Sequence, residues 1–139
     1  MSLFRSDGAV LVVDAAEGVM VGTERALRQA LQDNQPIVLV INKLDRLFLE
    51  LKLPPDDAYH KLCHTIEEVN TIIERMAYGR ARLSPEAGNV VFASSKYGFC
   101  FSLASFAHKY AEYHGGFPAK ELAKRLWGNR CARGSIAGG

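Results

Sequence analysis

Residues 36–45 read P-I-V-L-V-I-N-K-L-D, and this stretch is the strongest indication of the fold. Five consecutive apolar residues (37–41), four of them β-branched, follow a proline and end at a polar cluster. Such a short, uniformly apolar run is typical of a strand buried on both faces, as in a parallel sheet flanked by helices. Ligands of open α/β sheets bind beyond the carboxyl ends of the strands, so Asn42, Lys43 and Asp45 lie where a ligand is expected.

These polar residues have the chemistry to select one purine base. The Asp45 carboxylate can accept hydrogen bonds from a ring N–H and the neighbouring exocyclic amino group, an edge that guanine presents and adenine lacks. Such discrimination is strong because the wrong base leaves buried polar groups unpaired. The Asn42 amide can donate to the base or join neighbouring loops, and the Lys43 stem can lie over a flat ring with its ammonium in water. The alternative is a polar strand end followed by a helix cap.

Two further apolar runs predict strands on either side of this one. Residues 9–13 (A-V-L-V-V) end at Asp14, and residues 89–93 (N-V-V-F-A) end at Ser94-Ser95-Lys96. Apolar residues at helical spacing predict helices that begin at Thr23 and that span, approximately, residues 55–78, 102–113 and 119–127. The predicted fold class is therefore α/β, with three parallel strands and flanking helices.

The ends of neighbouring parallel strands meet at one rim of a sheet. We therefore expect Asn42 and Asp45 to lie beside Ser94 and Ser95, so that an amide, a carboxylate and two hydroxyls line one notch. If the two strand ends pointed to opposite edges, the interpretation as a purine site would fail.

Composition narrows the class of protein. The 139 residues are 48% hydrophobic and 23% charged, as in a soluble globular domain. The net charge of +2 gives no general case for nucleic-acid binding, and no apolar run approaches the length of a membrane span. His60 and His64 lie four residues apart on a predicted helix but have no evident third ligand, so we predict no metal site.

Several motifs resemble those of translational GTPases: V-D-A-A-E-G-V (13–19), N-K-L-D-R (42–46) and the serine pair after the next strand. Residues 49–59, 84–103 and 123–129 resemble more particularly the spliceosomal, elongation-factor-2-like GTPases of the small nuclear ribonucleoprotein. The likeness extends over about residues 5–129, nearly the whole chain.

The resemblance implies a P-loop-NTPase-like three-layer sandwich and a guanine-binding function in pre-mRNA splicing. By resemblance, Asn42, Lys43 and Asp45 form the base-specificity loop. Ser94, Ser95 and Lys96 form the final guanine loop, whose backbone N–H groups meet the base oxygen. The implied cofactors are GTP and GDP, with Mg²⁺ in the full-length family. The implied partners are spliceosomal proteins and small nuclear RNA, with nuclear localisation and no membrane contact.

Important family motifs are missing from the chain. The phosphate-binding pattern G-x-x-x-x-G-K-[ST] cannot occur because no Gly-Lys dipeptide exists, and no aspartate is followed three residues later by a glycine. We therefore expect residues 1–129 to form the carboxyl-terminal part of a GTPase domain, without the phosphate-loop half, followed by a disordered tail (130–139). No catalytic residue or metal site is predicted, and we expect no GTP hydrolysis by this chain alone.

Two alternatives stay open at this point. The chain could be a noncatalytic interaction module that contacts other spliceosomal proteins through its long helix and the loop around Arg80. It could instead be a fragment of a translation elongation factor. In each case the strand at residues 9–13 would have an open edge, which predicts self-association.

Overall fold

The computed structural model describes residues 7–80 and 82–115. Four strands and four α-helices follow one another as β1 (Ala9–Asp14), α1 (Val21–Gln32), β2 (Ile37–Asn42), α2 (Asp45–Leu49), α3 (Pro55–Met76), β3 (Val90–Ser94), β4 (Phe99–Phe101) and α4 (Leu103–His114). A single 3₁₀ turn, Pro85–Ala87, precedes β3.

The strands form one sheet in the order β1-β2-β3-β4. The first three are parallel, and the register places Asp14 opposite Asn42 at the carboxyl ends of β1 and β2. The predicted α/β architecture of three parallel strands with flanking helices is confirmed. The polar ends of β1, β2 and β3 therefore share one rim.

The fourth strand was not predicted. Residues 99–101 pair antiparallel with β3, with Phe101 opposite Phe92 and Phe99 opposite Ser94. The aromatic rings of Phe92 and Phe101 lie 5.7 Å apart between centroids, a favourable cross-strand pair. Only three residues take part, too few to show an alternating pattern in the sequence.

The core lies on one face of the sheet. Apolar side chains that alternate along β1, β2 and β3 are buried there with residues of α1 and α3: Leu11, Val13, Leu39, Ile41, Val90, Phe92, Leu27, Ala30, Ile66, Val69 and Ile73. On the opposite face, Val38 of β2 is 36% exposed, and Val10 and Val12 of β1 are 67% and 58% exposed. The prediction of a strand buried on both faces is therefore wrong at Val38, and the run in β1 is also exposed on this face. An apolar run does not reveal whether a second layer covers it.

Hydrogen bonds hold the loop that follows the long helix α3. Asn70 is buried, and its amide donates to the Leu83 carbonyl while its carbonyl accepts from the Leu83 N–H, both at 2.8 Å. The Arg80 guanidinium donates to the backbone carbonyl of Gln35, which precedes β2. The loop is therefore held at two points, to α3 through Leu83 and to the segment before β2 through Arg80.

The sequence interpretation placed most element ends within two residues of those observed. The exceptions are β4 and the segment after Asn42, where residues 45–49 form a short helix, α2. The predicted helix at 119–127 and the tail at 130–139 lie outside the described residues. Within residues 7–80 and 82–115, no helix is long and apolar enough to cross a membrane.

Candidate functional site

The rim formed by the ends of β2 and β3 brings together the residues expected to contact a base. Ser94 is fully buried at the end of β3, and its hydroxyl donates to Asp45 Oδ1 at 2.7 Å. An ionised carboxylate has about four acceptor positions on its two oxygens. The Ser94 bond therefore orients Asp45 and leaves acceptor capacity for a neighbouring pair of donors, as the guanine edge requires.

Asn42 joins the two loops directly. Its Oδ1 accepts from the Ser95 N–H at 3.1 Å, and its Nδ2 donates to the Ser95 hydroxyl at 3.3 Å. The same Oδ1 accepts from the Lys43 N–H at 2.8 Å. Of the two roles considered for this amide, the structure shows the joining of neighbouring loops.

Lys43 adopts a strained backbone conformation at the tip of this site. Its φ is +60°, in the left-handed region that side chains other than glycine rarely occupy. The hydrogen bond to Asn42 fixes one side of this turn, and a bond from the Leu44 N–H to the Ala93 carbonyl, 3.2 Å long, fixes the other. Strain of this kind persists where surrounding contacts over-determine the conformation, which is common at ligand sites.

In the predicted final guanine loop, one N–H group already has a partner within the protein. The resemblance implies that its N–H groups meet the base oxygen, but the Ser95 N–H donates to Asn42 instead. Lys96 follows in the turn, and within the part of the chain that the structure describes its N–H has no hydrogen-bond partner. Its ammonium lies 5.7 Å from the centroid of the Tyr97 ring. Of the two, the Lys96 N–H is therefore the better candidate for the base oxygen.

A charge cluster beside the site was not predicted from the sequence. Asp14 Oδ2 accepts from the Arg46 guanidinium at 2.8 Å and lies 3.4 Å from the Lys43 ammonium. Arg46 Nε also donates to Glu50 at 2.7 Å. The Lys43 ammonium is thus paired with a carboxylate rather than simply hydrated. The N-K-L-D-R motif contains Arg46, but sequence spacing does not show that β1 carries its partner.

The cluster shifts two pKa values. Burial raises the pKa of Asp14, but hydrogen bonds from the Ala16 N–H, Arg46, the Glu17 N–H and Lys43 outweigh it, so the pKa lies below its ordinary value. Hydrogen bonds to Glu50 and Asp14 raise the pKa of Arg46. Both groups are therefore charged throughout the neutral range.

Among residues 7–80 and 82–115, no three His, Cys, Asp or Glu side chains lie together in a way that could hold a metal ion. The acceptors and donors at the rim are of the kind that can pair with a purine base.

Comparison with known families identifies the class of protein. Residues 1–116 match the sequence model of the elongation factor Tu GTP-binding domain. The match covers most of the chain and agrees with the parallel sheet and the rim described above. The chain therefore belongs to the elongation factor Tu GTP-binding domain family.

Three similar proteins are a pre-mRNA-splicing factor and two components of the U5 small nuclear ribonucleoprotein. The chain is 55% identical to the pre-mRNA-splicing factor cwf10 of Schizosaccharomyces pombe over 89% of its length, and this covers 13% of that protein. It is 57% and 55% identical to the 110 kDa (CLO) and 109 kDa (GFL) U5 small nuclear ribonucleoprotein components of Arabidopsis thaliana, over 92% of its length in each case. Those matches cover 13% and 14% of the relatives, so the chain spans only a small part of each.

Proposed function

We propose that this chain is the guanine-binding part of a spliceosomal, elongation-factor-2-like GTPase that acts in pre-mRNA splicing. In this proposal, residues 1–129 belong to the carboxyl-terminal part of the GTP-binding domain. The observation that carries the proposal is the direct hydrogen bond between Asp45 and Ser94. It joins the first residue of α2 to the last residue of β3 and orients a carboxylate at the rim.

Each residue of the site has a role in this proposal. Asp45 accepts from the ring N–H and amino group of guanine, and Ser94 holds its carboxylate in position. Asn42 joins the Lys43 loop to the Ser95 turn, which shapes the notch. The stem of Lys43 covers the face of the ring, and the Lys96 N–H meets the base oxygen.

The cellular role follows from the relatives. Their names place them in pre-mRNA splicing and in the U5 small nuclear ribonucleoprotein, so we propose a nuclear location with spliceosomal proteins and small nuclear RNA as partners. The named relatives do not favour a translation factor. Tagged protein recovered from cell extract should carry small nuclear RNA. Enrichment of ribosomal RNA instead would contradict this role.

The base site can be tested without phosphate contacts. We expect guanosine, but not adenosine, to shift the amide resonances of Leu44, Ser95 and Lys96 in a titration of ¹⁵N-labelled chain. Asp45→Asn should abolish the guanosine effect because the amide cannot accept two hydrogen bonds from the guanine edge. Asp7→Asn is the matched control, since Asp7 is exposed and precedes β1 at the opposite end of the sheet. Equal shifts with both nucleosides, or none with guanosine, would contradict the proposal.

A further inference from the structure

We infer that Asp14 is a positioning residue for guanine recognition: its carboxylate holds Lys43 in the conformation that covers the base, and Arg46 holds the carboxylate. This inference rests on the proposed base site and assigns a role to a residue outside the two base loops. Asp14 lies at the end of β1, directly opposite Asn42 in the strand register. A bond from the Ala15 N–H to the Asn42 carbonyl, 2.8 Å long, ties the two strand ends together.

The two oxygens of Asp14 have separate contacts. Oδ1 accepts from the Ala16 N–H at 2.8 Å and from the Glu17 N–H at 3.3 Å, which closes the turn after β1. Oδ2 faces the recognition loop, with Arg46 at 2.8 Å and Lys43 at 3.4 Å. An aspartate that served only to end β1 would need the Oδ1 contacts with the turn, but not the Oδ2 contacts with Arg46 and Lys43.

The surrounding charges explain why Arg46 takes part in positioning Lys43. Its guanidinium lies between Asp14 and Glu50, and Glu17 is 3.9 Å away, so three carboxylates surround it. The Asp14 side chain is only 15% exposed, whereas that of Lys43 is 52% exposed. Arg46 therefore fixes the partly buried Asp14 carboxylate, and the carboxylate in turn limits where the flexible Lys43 side chain can go.

This restraint adds to the two backbone bonds that hold Lys43 in its left-handed turn, neither of which holds its side chain. Its φ of +60° is unfavourable for a lysine, and the side chain would sample other directions if its ammonium had no partner. With the ammonium held at Asp14, the methylene stem has fewer directions open to it. The base then meets a preformed surface, which reduces the ordering needed on binding.

Asp14→Asn separates the two contacts of this carboxylate. The amide oxygen can keep the bonds to Ala16 and Glu17, whereas the amide nitrogen cannot accept from Arg46 or Lys43. We expect guanosine affinity to fall about two- to fivefold, the range for a partly exposed ion pair. Affinity is measured by the amide titration, and the free energy of unfolding is measured in parallel by urea denaturation.

A double-mutant cycle distinguishes positioning from a general structural effect. Lys43→Met keeps the length of the side chain and removes its charge, so Asp14→Asn should cause no further loss of affinity in that background. Glu24→Gln is the matched control, because it also removes a carboxylate from an arginine pair, on helix α1. Unchanged affinity in Asp14→Asn, or an equal loss with and without the lysine charge, would overturn the inference.

A measurement without ligand separates this inference from the proposed function. In Asp14→Asn, the ¹³Cα shift and the amide coupling constant of Lys43 should move away from left-handed values, whereas Glu24→Gln should leave them unchanged. If the wild-type chain bound no guanosine, the proposed function would fail, yet these values would still decide whether Asp14 positions Lys43. Identical Lys43 values in Asp14→Asn and wild type would overturn the inference.

Discussion

Single buried polar side chains connect parts of this protein that are far apart in sequence. Ser94 and Asp45 are 49 residues apart, and Asn70 reaches Leu83 across a loop. Hydrogen bonds inside the protein are worth most where the alternative is an unpaired buried group. At the residue scale, both the candidate site and the loop after α3 therefore depend on a few exact pairings.

Asn70→Ala should destabilise the protein by about 2–4 kcal/mol, because it leaves both buried backbone groups of Leu83 unpaired. The free energy of unfolding by urea measures this loss. Thr71→Ala is the control on the same helix, since its exposed hydroxyl only bonds to the Glu67 carbonyl, and we expect a change below about 0.5 kcal/mol. Similar losses in the two variants would show that the Leu83 contacts are not needed.

Asp14 should make stability depend on pH in the acid range. Its folded-state pKa is lower than its ordinary value of 3.8, so folding favours the ionised form. The stability it contributes is therefore fully present above the unfolded pKa and is lost as the pH falls through the folded pKa. The free energy of unfolding, measured from pH 6 down to pH 3, should fall less steeply with pH for Asp14→Asn than for wild type. Parallel curves would contradict the assignment.

At the scale of elements, the strands were easier to predict than the layers that cover them. The apolar runs at residues 9–13, 37–41 and 89–93 predicted β1, β2 and β3 to within one residue at each end, because short runs of branched apolar residues bounded by polar ones are typical of buried strands. The exposure of Val10 and Val12 could not be read from the same runs, since burial depends on what packs against the sheet. The antiparallel β4 was missed because its pairing with β3 depends on a turn at residues 95–98.

The open edge of β1 should lead to self-association. β1 is the outermost strand of the described sheet, and its exposed valines give the edge an apolar character. We expect the sedimentation coefficient of the wild-type chain to rise with concentration, and Val12→Lys to suppress this because a charge on an edge strand opposes pairing. Val21→Lys is the control, on an exposed position of helix α1. A wild-type chain that stays monomeric at all concentrations would contradict this prediction.

At the scale of the whole molecule, the sequence was sufficient to predict which residues meet at the rim but not how they bond. The expected convergence of Asn42 and Asp45 with Ser94 and Ser95 is confirmed by direct hydrogen bonds. The use of the Ser95 N–H by Asn42 and the pairing of Lys43 with Asp14 depend on side-chain positions that spacing cannot specify. Guanine binding by these residues stays a prediction.

The chain should bind guanosine and GDP with similar affinity. The described site offers contacts to a base, and the sequence has no phosphate-binding motif to hold the diphosphate. Calorimetric titration of the chain with each ligand should give dissociation constants within about fivefold of each other, in the presence or absence of Mg²⁺. A GDP affinity about a hundredfold higher would show that phosphate contacts exist in this chain, since each charge-assisted bond is worth about 1.5–3 kcal/mol.

Guanine recognition by the Asp45 carboxylate is tested most directly by a change of base preference. An asparagine at this position would accept from the xanthine N–H through its oxygen and donate to the xanthine 2-oxo group through its nitrogen. Titrations of wild type and Asp45→Asn with guanosine and xanthosine should show guanosine preferred by the first and xanthosine by the second. An Asp45→Asn variant that retained the wild-type preference for guanosine would contradict the account.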